Sequence, residues 1–312
     1  MKRFRNIVYF ADGAVQPCSA LERAVELARR NHARLTVIDV LDETRSTPEI
    51  DQRFGTDLNR ILGERRHETL ERLVSPFLEA DTMIYTRVLT GTAFVEVIRA
   101  VLRSGYDLVI KAARAPQGFS ERLLGSTDMH LLRKCPCPVW IDRPNAALPY
   151  RTVLAAVNPL DAEAPGRDRL VMDLATSLAN RESARLAVVH AWRLFGESML
   201  RNGRARISEA ELEGLLEQTR ERHRERLDTL LEPYGLGTGD DAVHLVKGEA
   251  APTIREMSEK LSADLIVMGT LGRVGIPGVF IGNTAEEVLQ TTRASVLAVK
   301  PAGFVSPVTA DP

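Results

Sequence analysis

The chain has 312 residues, 44% hydrophobic and 27% charged, which is enough for two ordinary domains with the balance of a folded globular protein. Its 41 Lys and Arg against 42 Asp and Glu leave a formal net charge of -1, so no long-range field draws it to DNA, RNA or an anionic membrane. The apolar run after Met1-Lys2-Arg3-Phe4-Arg5-Asn6 ends at Asp12, too short for a secretory or membrane-spanning segment; a cytoplasmic protein with no nucleic-acid or membrane partner is expected.

In chain order, β-branched runs predict strands over Ile7 to Phe10, Leu35 to Val40, Met83 to Leu89, Leu108 to Lys111 and Val139 to Asp142. Helical patterns lie between them, as in Leu21, Val25 and Ala28, or Val97 and Val101. Cys135 and Cys137 are separated by one residue, not by the two of redox and zinc motifs, and with Cys18 as the third cysteine they read as structural. A Pro-bracketed linker, Asp142 to Pro149, follows.

The pattern then repeats. Tyr106-Asp107-Leu108-Val109-Ile110 returns as Ala263-Asp264-Leu265-Ile266-Val267, and the same register carries Gly91 to Gly248 and Gly125 to Gly282. Earlier landmarks, Leu35 with Leu186 and Asp12 with Asn158, keep shorter offsets, which places insertions in loops. Ser208-Glu209-Ala210-Glu211 is a capping box opening a long helix with Leu212, Leu216, Leu227, Leu230 and Leu231 on one stripe. Its Arg220, Arg222, Arg224 and Arg226, neutralised by interleaved Glu, read as a solvated face. His190 and His244 fall on neighbouring expected strands; they read as sheet residues, with a metal pair as the lesser alternative. The connections Leu41 to Gly55 and Trp192 to Ile207 are long enough to line a cavity or form a lid.

Strand and helix alternating in this way predict an α/β fold: two tandem open parallel five-stranded sheets, Rossmann-like, with helices on both faces and right-handed crossovers. Residues 1–143 form the first expected domain and 150–302 the second, with 303–312 a flexible tail. The chemistry points to Met268-Gly269-Thr270-Leu271-Gly272-Arg273, which leaves a strand, and to Gly282-Asn283-Thr284, which enters a helix. Glycine lets a phosphate approach backbone N–H groups, and a helix N-terminus favours an anion. There is no P-loop, dinucleotide fingerprint or nucleophile elbow, so any hydrolysis should be slow.

These residues resemble the universal stress protein family, whose ATP-binding members carry Gly, two residues, Gly, nine residues, Gly-Ser/Thr after the fourth strand. Gly269, Gly272 and Gly282 fit, with Asn283 in the Ser/Thr place and Thr284 one residue later. Phe10-Ala11-Asp12-Gly13 and Pro138-Val139 are similar to the family's first and closing strands, and the likeness covers both halves in the manner of tandem members. The resemblance implies an adenine nucleotide alpha hydrolase-like fold, and closing strands, Val139 to Ile141 and Val296 to Val299, that meet across a pseudo-dimer.

It further implies an ATP or other adenine-nucleotide site in the second domain, with Mg²⁺ accompanying it, at Asn158, Ala191, Met268, Gly269, Gly272, Arg273, Gly282, Asn283 and Thr284. The first domain keeps Asp12, Gly13, Val40, Gly125, Ser126 and Thr127, but Ala112 and Ala115 replace two glycines and Lys111 replaces Met268, which marks a degenerate site. The function expected is a regulatory nucleotide-binding module in stress response that acts on a protein partner, with further homodimerisation an open arrangement. The alternatives are a slow ATPase using Arg273 and Thr284, and a scaffold or carrier holding an apolar ligand or a nucleotide-sugar.

Overall fold

A computed structural model describes residues 4–42, 58–78, 82–113, 124–144, 146–161, 166–201, 207–270 and 282–311. The expected strands form with their ends moved by one residue. The first half runs β1 (Asn6–Phe10), α1 (Ser19–Asn31), β2 (Arg34–Leu41), α2 (Leu58–Val74), β3 (Ile84–Thr90), α3 (Ala93–Ser104), β4 (Leu108–Ala112), α4 (Ser126–Lys134) and β5 (Val139–Asp142). The second runs β6 (Thr152–Ala156), α5 (Arg167–Glu182), β7 (Arg185–Trp192), the short α6 (Glu197–Arg201), α7 (Glu209–Leu231), β8 (Val243–Lys247), α8 (Ala250–Lys260), β9 (Leu265–Gly269), α9 (Asn283–Thr291) and β10 (Ser295–Val299).

The two expected five-stranded sheets form, and their closing strands meet as the resemblance implies, which makes them one ten-stranded sheet. Their order is β3-β2-β1-β4-β5-β10-β9-β6-β7-β8, parallel within each half and antiparallel where β5 meets β10. Leu297 lies opposite Trp140 in that central pair, with Val296 opposite Ile141 and Ala298 opposite Val139. Pairing the two closing strands removes two sheet edges, and among the described residues β3 and β8 form the open edges.

Strands buried on both faces need apolar side chains at successive positions, and β1, β5, β6, β9 and β10 have them. One core joins Tyr9, Leu108, Trp140, Val153, Val267 and Leu297 to α1, α2, α5 and α7; the other joins Val8, Val109, Ile141, Leu154, Ile266 and Val296 to α3, α4, α8 and α9. In α7 the Ser208 cap forms as read: its hydroxyl accepts from Glu211 N at 3.3 Å, and its own N–H donates to Glu211 Oε2 at 2.7 Å. Arg220 and Arg224 pair with Glu217 and Glu221 on the exposed face of that helix.

Two cations lock the halves together reciprocally. Arg143, just past β5, donates to the Thr292 carbonyl at the end of α9 at 2.8 Å. Lys300, just past β10, donates to the Leu132 and Arg133 carbonyls at the end of α4 at 2.6 and 3.1 Å and to Thr270 Oγ1 at 2.7 Å. Each half thus places a positive charge on the carbonyl end of the other half's last helix, where the dipole favours it. Burial still disfavours the ammonium, pushing Lys300 down to about 7. On the opposite face, Arg23 stacks 3.5 Å from the Tyr150 ring centre and reaches Asp142 at 3.5 Å and Glu182 at 3.4 Å. Asp142 also accepts from Ser295 Oγ at 2.9 Å, so α1, β5, the linker and β10 share one buried polar cluster.

Candidate functional site

In each half the first strand lies between the second and the fourth, β1 between β2 and β4 and β6 between β7 and β9. The crossovers diverge there, which opens a crevice at the carboxyl ends of the strands, the place where open α/β sheets bind ligands. The two halves fill that place differently.

In the first half, Lys111 is 1% exposed and its ammonium bridges Asp12 at 2.9 Å and Asp128 at 2.6 Å. Asp12, the acid expected to face a nucleotide, instead neutralises an internal cation. Asp128 Oδ2 also accepts from the Gly125 N–H at 3.2 Å, so the N-terminus of α4, at Gly125, Ser126 and Thr127, already holds a carboxylate. Beside it Asp39, next to Val40, pairs with Arg66 of α2 and accepts from the Gly13 N–H at 3.3 Å, while Arg66 reaches the Ala14 carbonyl at 2.8 Å. At these strand ends the described charges of the first half pair with one another.

The second half has changed all three members of the triad together. Register places Met268 on Ala156, as Lys111 lies on Phe10; Asn158 stands for Asp12, and Ala285, three residues beyond Gly282, for Asp128. Gly282 caps α9 without a side-chain hydrogen bond, its N–H donating to the Thr270 carbonyl at 2.8 Å; Asn283 is exposed and Thr284 half-buried beside it. Asn158, Ala191, Met268 and Gly269 therefore lie at or just past the carboxyl ends of β6, β7 and β9, and Gly282, Asn283 and Thr284 lie at the start of α9. Gly272 and Arg273 lie outside the described residues.

His190 does not meet His244. Val189 is the register partner of His244, so the two histidines project from opposite faces of the sheet. His190 Nδ1 lies 3.0 Å from the Val157 carbonyl, and its Nε2 lies 2.7 Å from Nδ1 of His223 on α7. Because a carbonyl only accepts, Nδ1 of His190 carries the proton and Nε2 accepts from His223. This pair occupies the place of Asp39 and Arg66 in the first half: a residue of the second strand tied to the long helix, neutral here and ionic there. Burial pushes His190 down to about 4. Between pH 6.5 and 4 the unfolded chain therefore binds a proton that the folded chain refuses, and acidification favours unfolding. Thermal melts should show about 3 kcal/mol of stability lost across that window, a loss that His190→Gln flattens.

Sequence reading missed Lys111 as the partner of Asp12, Arg66 as that of Asp39, and His223. Asp128, an acid three residues after an N-cap glycine, was the one local signal available. A depression of about 450 Å³ lined by Arg255, Ser258, Glu259 and Arg293 lies at the amino ends of β9 and β10, the opposite edge of the sheet from the crevice.

The fold is that of a tandem α/β protein with the first strand of each half between its second and fourth. The chain belongs to the Universal stress protein family, whose profile matches residues 3–143 and again 149–300. It is 28% identical to Universal stress protein E of Escherichia coli strain K12, covering 100% of this chain and 98% of that one. Against the Universal stress protein E homolog of Haemophilus influenzae it is 25% identical, covering 96% and 98%. Among solved structures it is similar to PA1789 of Pseudomonas aeruginosa PAO1, described as functionally unknown, with TM-score 0.69, 25% identity and coverage of 96% and 94%. No described helix is long and apolar enough to cross a membrane.

Proposed function

We propose that the chain is a cytoplasmic regulatory protein of the stress response, built of units 1–143 and 150–302, that binds ATP or another adenine nucleotide, with its Mg²⁺, in the second unit alone. The observation that carries this reading is the concerted exchange of Lys111, Asp12 and Asp128 for Met268, Asn158 and Ala285. Two internal carboxylates satisfy the cation and the helix N-terminus of the first half. The second half replaces both with neutral residues, so an anion from outside meets less opposing charge at the N-terminus of α9. Asn158 supplies an amide toward ribose or base, Ala191 and Met268 apolar walls, and Gly282, Asn283 and Thr284 donors toward phosphate.

Titration with ATP, ADP and AMP should find one site per chain. In Gly282→Val, the branched side chain keeps phosphate away from the helix N-terminus, and affinity falls by at least about tenfold. Two sites per chain would contradict the assignment of binding to the second unit alone. No binding at millimolar ATP would favour the scaffold or carrier reading, and the same samples assayed for phosphate release test the slow ATPase.

A further inference from the structure

Gly269 ends β9, and a Cβ at this position would overlap Cδ of Arg167 and lie 2.7 Å from its Nε. The bare backbone at this position thus makes room for an arginine arriving from the first turn of α5. Its equivalent in the first half is Ala112, by the register that aligns Lys111 with Met268. Arg167 is 5% exposed. Its Nη1 lies 2.8 Å from Asp161 Oδ2 and its Nε 3.4 Å from Asp168 Oδ1, and Asp168 in turn accepts a hydrogen bond from the Asn158 backbone. A buried guanidinium therefore stands between Asn158 and Gly269, the two strand ends that border the crevice.

The chemistry of this cluster is that of an anion site already holding anions. Two carboxylates face one guanidinium. A phosphate offers the same pair of oxygens with more charge, and the planar fork of arginine fits either. Burial raises the proton affinity of Asp168 above its ordinary range, against the pull of Arg167, so this carboxylate sits there at a desolvation cost.

We infer that Arg167 is a phosphate-recognising residue of the second half, alongside Gly282, Asn283 and Thr284, and that Asp161 and Asp168 stand in for phosphate oxygens until a nucleotide binds, competing with it and setting its affinity. The inference rests on the nucleotide reading above and adds to it a residue that reads the phosphate and the internal competitor that attenuates binding.

Equilibrium titrations of the full chain with adenosine, AMP, ADP and ATP test it in four proteins: wild type, Arg167→Met, Asp161→Asn and the double variant. Arg167→Met should weaken ADP and ATP by about 10- to 100-fold and leave adenosine within about twofold, because only phosphate is read by the guanidinium. Asp161→Asn should tighten ATP by about tenfold, and that gain should vanish in the double variant, since it comes from releasing the arginine. Arg167→Met strips Asp161 and Asp168 of their cation; where that variant does not fold, Asp161→Asn and Arg167→Lys carry the test, the lysine weakening ATP at unchanged adenosine affinity. Equal weakening of adenosine and ATP, or ATP affinity indifferent to Arg167 and Asp161, overturns the inference and leaves the nucleotide reading standing. Absence of nucleotide binding in every variant, Asp161→Asn included, overturns both.

Discussion

Lys111→Met should be among the most destabilising single substitutions in this protein. The ammonium is 1% exposed and is held by Asp12 and Asp128, themselves 10% and 1% exposed. Deleting the cation leaves two carboxylates buried within a few ångströms of each other, and breaking a buried pair in this way costs about 3–5 kcal/mol. The second half shows how the loss is absorbed, because it carries Asn158, Met268 and Ala285 at the same three places. The triple variant Asp12→Asn, Lys111→Met, Asp128→Ala should therefore recover most of the stability. It should fall short by about 1 kcal/mol, the worth of the Asp128 cap on the Gly125 N–H. Urea denaturation of the three proteins is the measurement. A single variant that unfolds at the wild-type midpoint would show that the triad contributes nothing to the fold.

Leu297→Asp should have a larger effect still. Leu297 is fully buried in the last strand, opposite Trp140 across the antiparallel junction and beside Val267 in the parallel register. Truncation to alanine at such a place costs about 2–5 kcal/mol. A carboxylate there adds the burial of a charge with apolar neighbours on both strands, several kcal/mol more, which approaches the whole stability of an ordinary domain. Because the strand belongs to both halves of the sheet at once, the two should lose structure together. Circular dichroism and thermal melting of Leu297→Ala and Leu297→Asp give the comparison. An unchanged melting temperature in the aspartate variant would mean that β5 and β10 do not hold the halves together.

How much of this was legible depends on the range of the interaction. The strands were readable because a strand buried on both faces announces itself by consecutive apolar residues, as in Leu265 to Met268 and Val139 to Ile141. The capping box at Ser208 was readable because its two partners are three residues apart. The internal repeat was readable because Asp107 and Asp264 play the same part in each half: both accept backbone N–H groups at the start of a first strand, from Arg5 and Asn6 and from Arg151 and Thr152. The pairing of Lys111 with Asp12 was not readable, since the two are close only after three crossovers have brought β4 beside β1. Both histidines are sheet residues, as their placement in the sequence suggested, and the lesser alternative of a metal pair fails on register. Sequence put His190 and His244 on neighbouring strands, while the one-residue register between β7 and β8 decided that they point to opposite faces.

The sequence alone therefore determined the local order: ten strand segments, the alternation with helices, a duplicated unit, and a glycine pattern in the second copy that marks a strand end. Each of these rests on contacts between residues near in the chain or on burial that composition reports directly. Tertiary structure decided the rest. It crossed Arg143 and Lys300 onto each other's last helices, turned Asp12 toward Lys111, and laid Arg167 over Gly269. In every one of these cases a charged or polar group must find a partner because burial forbids it to stand alone. Which partner it finds is set by strand register and helix placement, not by spacing along the chain.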